Sequence, residues 1–280
     1  MADERNIYGY NPSLPAAVIF IILFGSSTAY HGYQLAKARC WYFIPFLIGG
    51  ILQILGYICR AASHDNYYGV TLYALQTTFI LIAPPLYAAS VYMILGRTIT
   101  YLHAEKLSLV RVGWMTKFFV TGDVISFLMQ CTGGGLMSTG DNHDLGSNIT
   151  IGGLIVQLLF FGFFVVVTGV FHFRISRNPT SKSRADRELS SGQGFKQRNW
   201  FTIIVGLYLV SFLILVRSIF RLVEYIQGYG GYIMTHEVFM YIFDAVLMWA
   251  AMAVENVYHP AEILGNGKGD SVGDEETMQL

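Results

Sequence analysis

Seven runs of predominantly apolar residues, each close to the ~20 residues a helix needs to cross a bilayer, dominate this chain. They fall at about Leu14–Leu35, Tyr42–Ala62, Thr71–Gly96, Val112–Met137, Ile149–Phe173, Trp200–Ile226 and His236–Val257. In hydrocarbon every backbone N–H and C=O must be satisfied internally, so only helices and closed barrels span. The runs are twice too long for barrel strands of about 10 residues and lack period-2 alternation. The expected fold is therefore all-α, a polytopic bundle of seven transmembrane helices. It divides into an external segment 1–13, a membrane domain 14–257 and a tail 258–280.

Composition closes the other routes. Charged residues make up 13% of the 280 residues, against about 25% in soluble domains. Lys and Arg number 18 and so do Asp and Glu. Zero net charge removes any bulk attraction to nucleic acid, and no nucleic-acid partner is expected.

The loops set an orientation. Counting only Lys and Arg, the loops after runs one, three and five carry Lys37 and Arg39, then Arg97, Lys106 and Arg111, then seven cations from Arg174 to Arg198. The loops after runs two, four and six carry none. This places the N-terminus outside and the C-terminus in the cytoplasm. The sequon Asn148-Ile149-Thr150 then lies on an outer loop, where Asn148 is a glycosylation candidate, although close to the membrane. Residues 1–13 lack a basic signal-peptide start, so run one serves as an uncleaved anchor. Cys40, Cys59 and Cys131 form no disulfide framework. A Cys59–Cys131 bridge is open, with two unpaired thiols favoured. The stretch Arg174–Asn199 reads as a basic, Ser-rich loop, topogenic and suited to an anionic leaflet. The Gly-rich acidic tail from Gly265 reads as disordered. Pro84-Pro85 in run three remove two helix hydrogen bonds and predict a kink or break, either a hinge or a static bend.

Ionisable residues inside spans are expensive and usually face the bundle interior. Here they recur at seven-residue intervals: Gln53 and Arg60, Asp123 and Gln130, Arg217 and Glu224 with Arg221 between, Glu237 and Asp244. Seven residues is about two turns, or about 10.5 Å along one face. Gln76 and Gln157 add single groups from runs three and five. With the orientation above, Arg60, Gln130, Arg217, Arg221 and Glu224 lie in the outer half. Gln53, Asp123 and Asp244 lie nearer the middle. The pattern suggests a polar cavity, open outwards, for an amphipathic ligand. The competing reading is a set of structural ion pairs.

Other chemistries find little support. The histidines include no His-Glu-x-x-His helix and no convergent triplet for zinc, and no Gly-x-Ser-x-Gly elbow is present. No enzyme activity, metal or other cofactor is expected; an intramembrane lipid-modifying enzyme stands as a remote alternative. Seven spans also fit a receptor. However, run three ends Leu95-Gly96-Arg97 without an Asp/Glu-Arg-Tyr triplet, and run seven lacks an Asn-Pro-x-x-Tyr box. A sensor not coupled through G proteins remains the main alternative.

Several motifs carry a resemblance. Tyr8-Gly-Tyr-Asn-Pro-Ser precedes run one, and Gly56-Tyr57-x-x-Arg60 lies in run two. Ala83-Pro84-Pro85-Leu86-x-Ala88 and Leu95-Gly96-Arg97 lie in run three, and Asp123-x-x-Ser126-x-x-x-Gln130 before Gly133-Gly134-Gly135 in run four. Gly153-x-x-x-Gln157, Arg217-Ser218-x-x-Arg221-x-x-Glu224-Tyr225, and Glu237 with Tyr241-x-x-Asp244 and His259-Pro260 complete the set. Over roughly Tyr8 to Pro260 the chain resembles the fungal lipid-translocating exporter family, seven-span proteins linked to sterol-analogue resistance and sphingoid long-chain base release. The resemblance implies a fungal membrane protein, most simply of the plasma membrane. Its partners would be membrane lipids or amphipathic small molecules, and the polar stripes its substrate contacts. Gln53 departs from the family, whose members often carry Glu there. That departure argues against proton-coupled or cation-specific behaviour. No phosphate-binding loop is present, so ATP does not drive this chain directly.

Overall fold

A computed structural model describes residues 12–64, 70–138, 143–191, 199–228 and 231–264. Seven helices among these are long and apolar enough to cross a membrane. No strand occurs among the described residues. The protein is an integral, multi-pass helical bundle.

The spanning helices are α1 (Leu14–Ala38), α2 (Ile44–Ala62), α3 (Val70–Tyr101), α4 (Val112–Ser138), α5 (His143–Arg177) and α7 (Trp200–Gln227). The seventh span runs Glu237–Val257. Pro15 and Pro45 occupy the first turns of α1 and α2, where a missing N–H costs nothing. Asn199 caps α7, its side chain accepting from the Thr202 N–H at 3.0 Å. A left-handed Arg39 (φ 52°) ends α1.

Neighbours in sequence pack as neighbours in space. α1 lies on α2, α2 on α3, α3 on α4, α4 on α5, α5 on α7, and α7 on the seventh span, which closes back onto α1. α3 also touches α7 and is the most enclosed of the seven. Side chains such as Ile22, Leu128, Leu159 and Phe212 stay exposed on the outer surface. That surface is apolar because lipid, not water, surrounds it.

Two expectations change, and a third narrows from a kink or break to a continuous helix. The stretch Arg174–Asn199 is not all loop: α6 (Ser181–Ser191) forms within it. The Thr180 hydroxyl bonds the Leu102 carbonyl (2.8 Å), and Asp186 accepts from the Trp200 N–H (3.0 Å) and the Tyr101 hydroxyl (3.4 Å). These contacts tie α6 to the ends of α3 and α7. Asn148 is not on a loop either. It is exposed in the second turn of α5, which begins at His143, ahead of the apolar run. A helical sequon at the membrane edge is not the surface loop that glycan transfer favours. Finally, Pro84 and Pro85 do not break α3, which continues through both. The cysteines are all unpaired. The N-terminal segment up to residue 11 and the acidic tail from residue 265 lie outside the described residues.

Candidate functional site

The polar stripes are buried, as their spacing predicts. Gln53, Arg60, Asp123, Gln130, Gln157, Arg217, Arg221, Glu224 and Asp244 are each no more than 9% exposed. Glu237 is part-buried. They do not form one continuous set of contacts. Six charges make a hub where α2, α7 and the seventh span meet, in two sets of contacts, Arg217–Asp244–Arg221–Glu224 and Arg60–Glu237, and the remaining groups pair elsewhere.

Asp244 is the centre of the hub. One carboxylate oxygen accepts from Arg217 Nε, and the other lies 3.0 Å from Arg221 Nη2. Arg221 Nη1 also donates to Glu224 at 2.8 Å, one turn along α7. Nearer the N-terminal face, Arg60 of α2 donates from Nη2 to Glu237 at 2.6 Å and from Nε to the Tyr241 hydroxyl at 3.1 Å. Glu237 accepts in turn from the Ser13 backbone N–H at 2.9 Å, fastening the start of α1. Rings wall this end. Tyr57 and Tyr241 stack with Phe20, at centroid distances of 5.6 and 5.2 Å.

Two backbone irregularities position these groups. The seventh span is π-helical over Tyr241–Val246, which carries both Tyr241 and Asp244. Such one-turn widenings recur at functional sites. In α3, Pro84 cannot donate to the carbonyl four residues earlier, that of Ile80. Arg217 Nη2 supplies the missing hydrogen bond at 3.3 Å. The proline and the hub are thus physically joined, and α3 continues because a side chain from α7 satisfies one freed carbonyl.

The other stripe residues sit apart. Asp123 of α4 accepts from the Tyr92 hydroxyl of α3 at 3.0 Å. Gln130 of α4 donates to Gln157 of α5 at 3.0 Å. Both are interhelical hydrogen bonds of the kind that hold a bundle, averaging about 0.6 kcal/mol each. Gln53 and Gln76 are buried in α2 and α3.

Sequence reasoning names Tyr57 and Tyr241 only inside motifs, without a contact role, and does not single out Tyr92. A usable signal was there: Tyr57 and Tyr241 each stand three residues before a buried charge, on the same helical face. The opposite end of the bundle carries buried polar groups as well. There His31 Nδ1 meets Asn256 Oδ1 at 2.9 Å, and Asn256 Nδ2 donates to the Ser27 carbonyl at 3.1 Å. Among the described residues no cluster of three or more potential metal ligands occurs.

Comparison with known proteins places these helices. A family model described as RTA1 like protein matches residues 46–267, from the start of α2 to beyond the seventh span. The chain belongs to this family. Protein RTM1 of Saccharomyces cerevisiae is 42% identical over 76% of this chain, an alignment spanning 65% of that protein, just under two thirds of its length. The Protoporphyrin uptake protein 1 of the same yeast is 36% identical, with 86% of this chain and 88% of that protein covered. The Sphingoid long-chain base transporter RSB1 is 27% identical, covering 92% and 75%. No solved structure matches the chain.

Proposed function

We propose that this RTA1-like protein moves amphipathic lipids across the bilayer, and that the Arg60–Arg217–Arg221–Asp244 hub contacts the head of the molecule moved. The observation that carries this reading is the hub itself. Three arginines and three carboxylates are held inside a membrane bundle by irregular backbone in two helices. Buried ion pairs seldom offset their desolvation. A set this large is poorly explained by stability alone.

The relatives support the direction of the argument. One is named for sphingoid long-chain base transport and another for protoporphyrin uptake. Both names describe amphipathic cargo, and neither is an enzyme's. Long-chain bases, phospholipids and sterol-like toxicants are the candidate classes here, with toxicant resistance and lipid asymmetry as consequences. The orientation that fits the basic loops puts the hub in the outer half of the bundle, with the protein in the plasma membrane.

Reconstitution tests the proposal. Purified protein in liposomes should accelerate the transbilayer movement of a labelled long-chain base or phospholipid, saturably. Saturable binding without acceleration would favour a lipid sensor instead. Neither binding nor acceleration would sink the reading.

A further inference from the structure

Gln53 is fully buried, and neither its amide nitrogen nor its amide oxygen has a hydrogen-bond partner among the described residues. The hydroxyls of Tyr57 and Tyr87 are equally buried and equally unpartnered. Native proteins leave few such groups, and each calls for an explanation.

These groups lie together. On α2, Gly49, Gln53 and Tyr57 follow at four-residue spacing, so they are neighbours on one face. The Tyr87 ring of α3 covers Gly49 so closely that a Cβ there would stand 2.7 Å from it. Two turns along, Gly56 faces the Ile80 side chain, 2.6 Å from its would-be Cβ. Gln53 therefore stands between these contacts, level with the stretch Ile80–Ala83. That is where Arg217 reaches the Ile80 carbonyl. Tyr57 stacks on the Tyr241 ring (centroids 6.2 Å apart), whose hydroxyl accepts from Arg60, and Tyr87 follows Pro84 by one turn of α3. The unpartnered groups form the floor of the hub.

Charge decides what the floor suits. Arg60, Arg217 and Arg221 are matched by Glu224, Glu237 and Asp244, so the hub offers no surplus charge. A charged head would have to displace a buried ion pair, leaving one partner uncompensated. The floor offers one amide, a donor and an acceptor at once, and two hydroxyls. We propose that this floor binds the uncharged, hydroxyl-bearing head of an amphipath, with the Gln53 amide as its main polar contact. The inference rests on the lipid-handling reading and narrows its candidate classes to neutral, hydroxyl-bearing amphipaths of the sterol-like kind, with charged long-chain bases and phospholipids as weaker ligands.

The test uses the full-length protein in nanodiscs and three radiolabelled probes of one chain length: hexadecan-1-ol, hexadecylamine and palmitate. The alcohol should bind saturably, about tenfold tighter than either charged probe. Gln53→Met should weaken alcohol binding about tenfold, the scale of one well-made hydrogen bond. Its melting temperature should hold or rise, because an unpartnered amide has been removed from the core. Gln53→Glu should shift the preference to the amine. Equal or tighter binding of a charged probe to the wild-type protein would overturn the neutral-head assignment while leaving lipid handling intact. So would a Gln53→Met variant that binds the alcohol normally, or one that melts lower, since Gln53 would then be a packing residue. Failure of all three probes to bind would overturn both.

Discussion

Asp244 forms ion pairs with two arginines, so its neutralisation disturbs more of the hub than any other single change. Asp244→Asn leaves Arg217 without a counter-ion and Arg221 with only Glu224. Breaking a buried pair this way costs about 3–5 kcal/mol. We expect a large fall in folded yield and in detergent melting temperature. The double variant Arg217→Met with Asp244→Leu removes one cation and one anion together, leaving Arg60–Glu237 and Arg221–Glu224 balanced. It should recover most of that stability in the same melting experiment. Tyr241→Phe is gentler. It deletes the hydroxyl that Arg60 Nε donates to, and thermal unfolding should register a loss of about 1.5–3 kcal/mol, the range for a bond to a charged group.

At the scale of the helices, close approach and proline placement make sharper demands. Within Gly133-Gly134-Gly135 the first glycine packs tightly against α5. A Cβ on Gly133 would stand 2.2 Å from Thr150 Oγ1 and 2.5 Å from the Gly146 carbonyl oxygen, whereas nothing lies within 4 Å of one on Gly134 or Gly135. Gly133→Ala should cost about 1–3 kcal/mol or more, because backbone cannot step aside. Gly134→Ala and Gly135→Ala should be neutral or stabilising by up to about 1 kcal/mol. Melting curves of the three variants make the comparison. In α3, Pro84→Ala supplies an N–H to the Ile80 carbonyl and competes with Arg217 for it. The variant should fold with unchanged or higher stability but move lipid more slowly. Unimpaired flux would mean that the prolines shape α3 without serving the hub.

Across the whole molecule, the seven spans were legible because bilayer thickness imposes one length and one composition on each. Gln53 and Arg60, or Arg217 and Glu224, could be assigned to shared faces because a helix has a fixed period. What the period does not contain is the partner. Asp123 and Gln130 share a buried face of α4, yet the structure couples them to Tyr92 and Gln157 rather than to the hub, because α4 packs between α3 and α5. The helix α6 was hidden for another reason. It has no apolar stripe long enough to register, and its placement depends on Asp186 holding Trp200, 14 residues on, and Tyr101, 85 residues back. The Arg217–Ile80 bond was equally hidden, because a carbonyl freed by proline attracts whatever donor the fold brings near.

Orientation is also a property of the whole molecule. The basic loops predict that α6 and the C-terminal tail face the cytoplasm. Single cysteines introduced at Arg184 and at Ser271, in a variant lacking the native thiols, should resist a membrane-impermeant maleimide on intact cells and react after permeabilisation. Labelling of both on intact cells would invert the bundle and place the hub in the inner half.

The central claim is that the hub contacts a lipid being moved rather than merely holding helices together. Lipid flux in proteoliposomes, measured on the wild-type protein and on the charge-balanced Arg217→Met, Asp244→Leu variant at equal melting temperature and equal incorporation, tests it most directly. The wild-type protein should accelerate movement saturably, and the folded variant little or not at all. A variant that moves lipid as fast as the wild-type protein would contradict the claim, and would return the hub to the role of a structural ion-pair cluster.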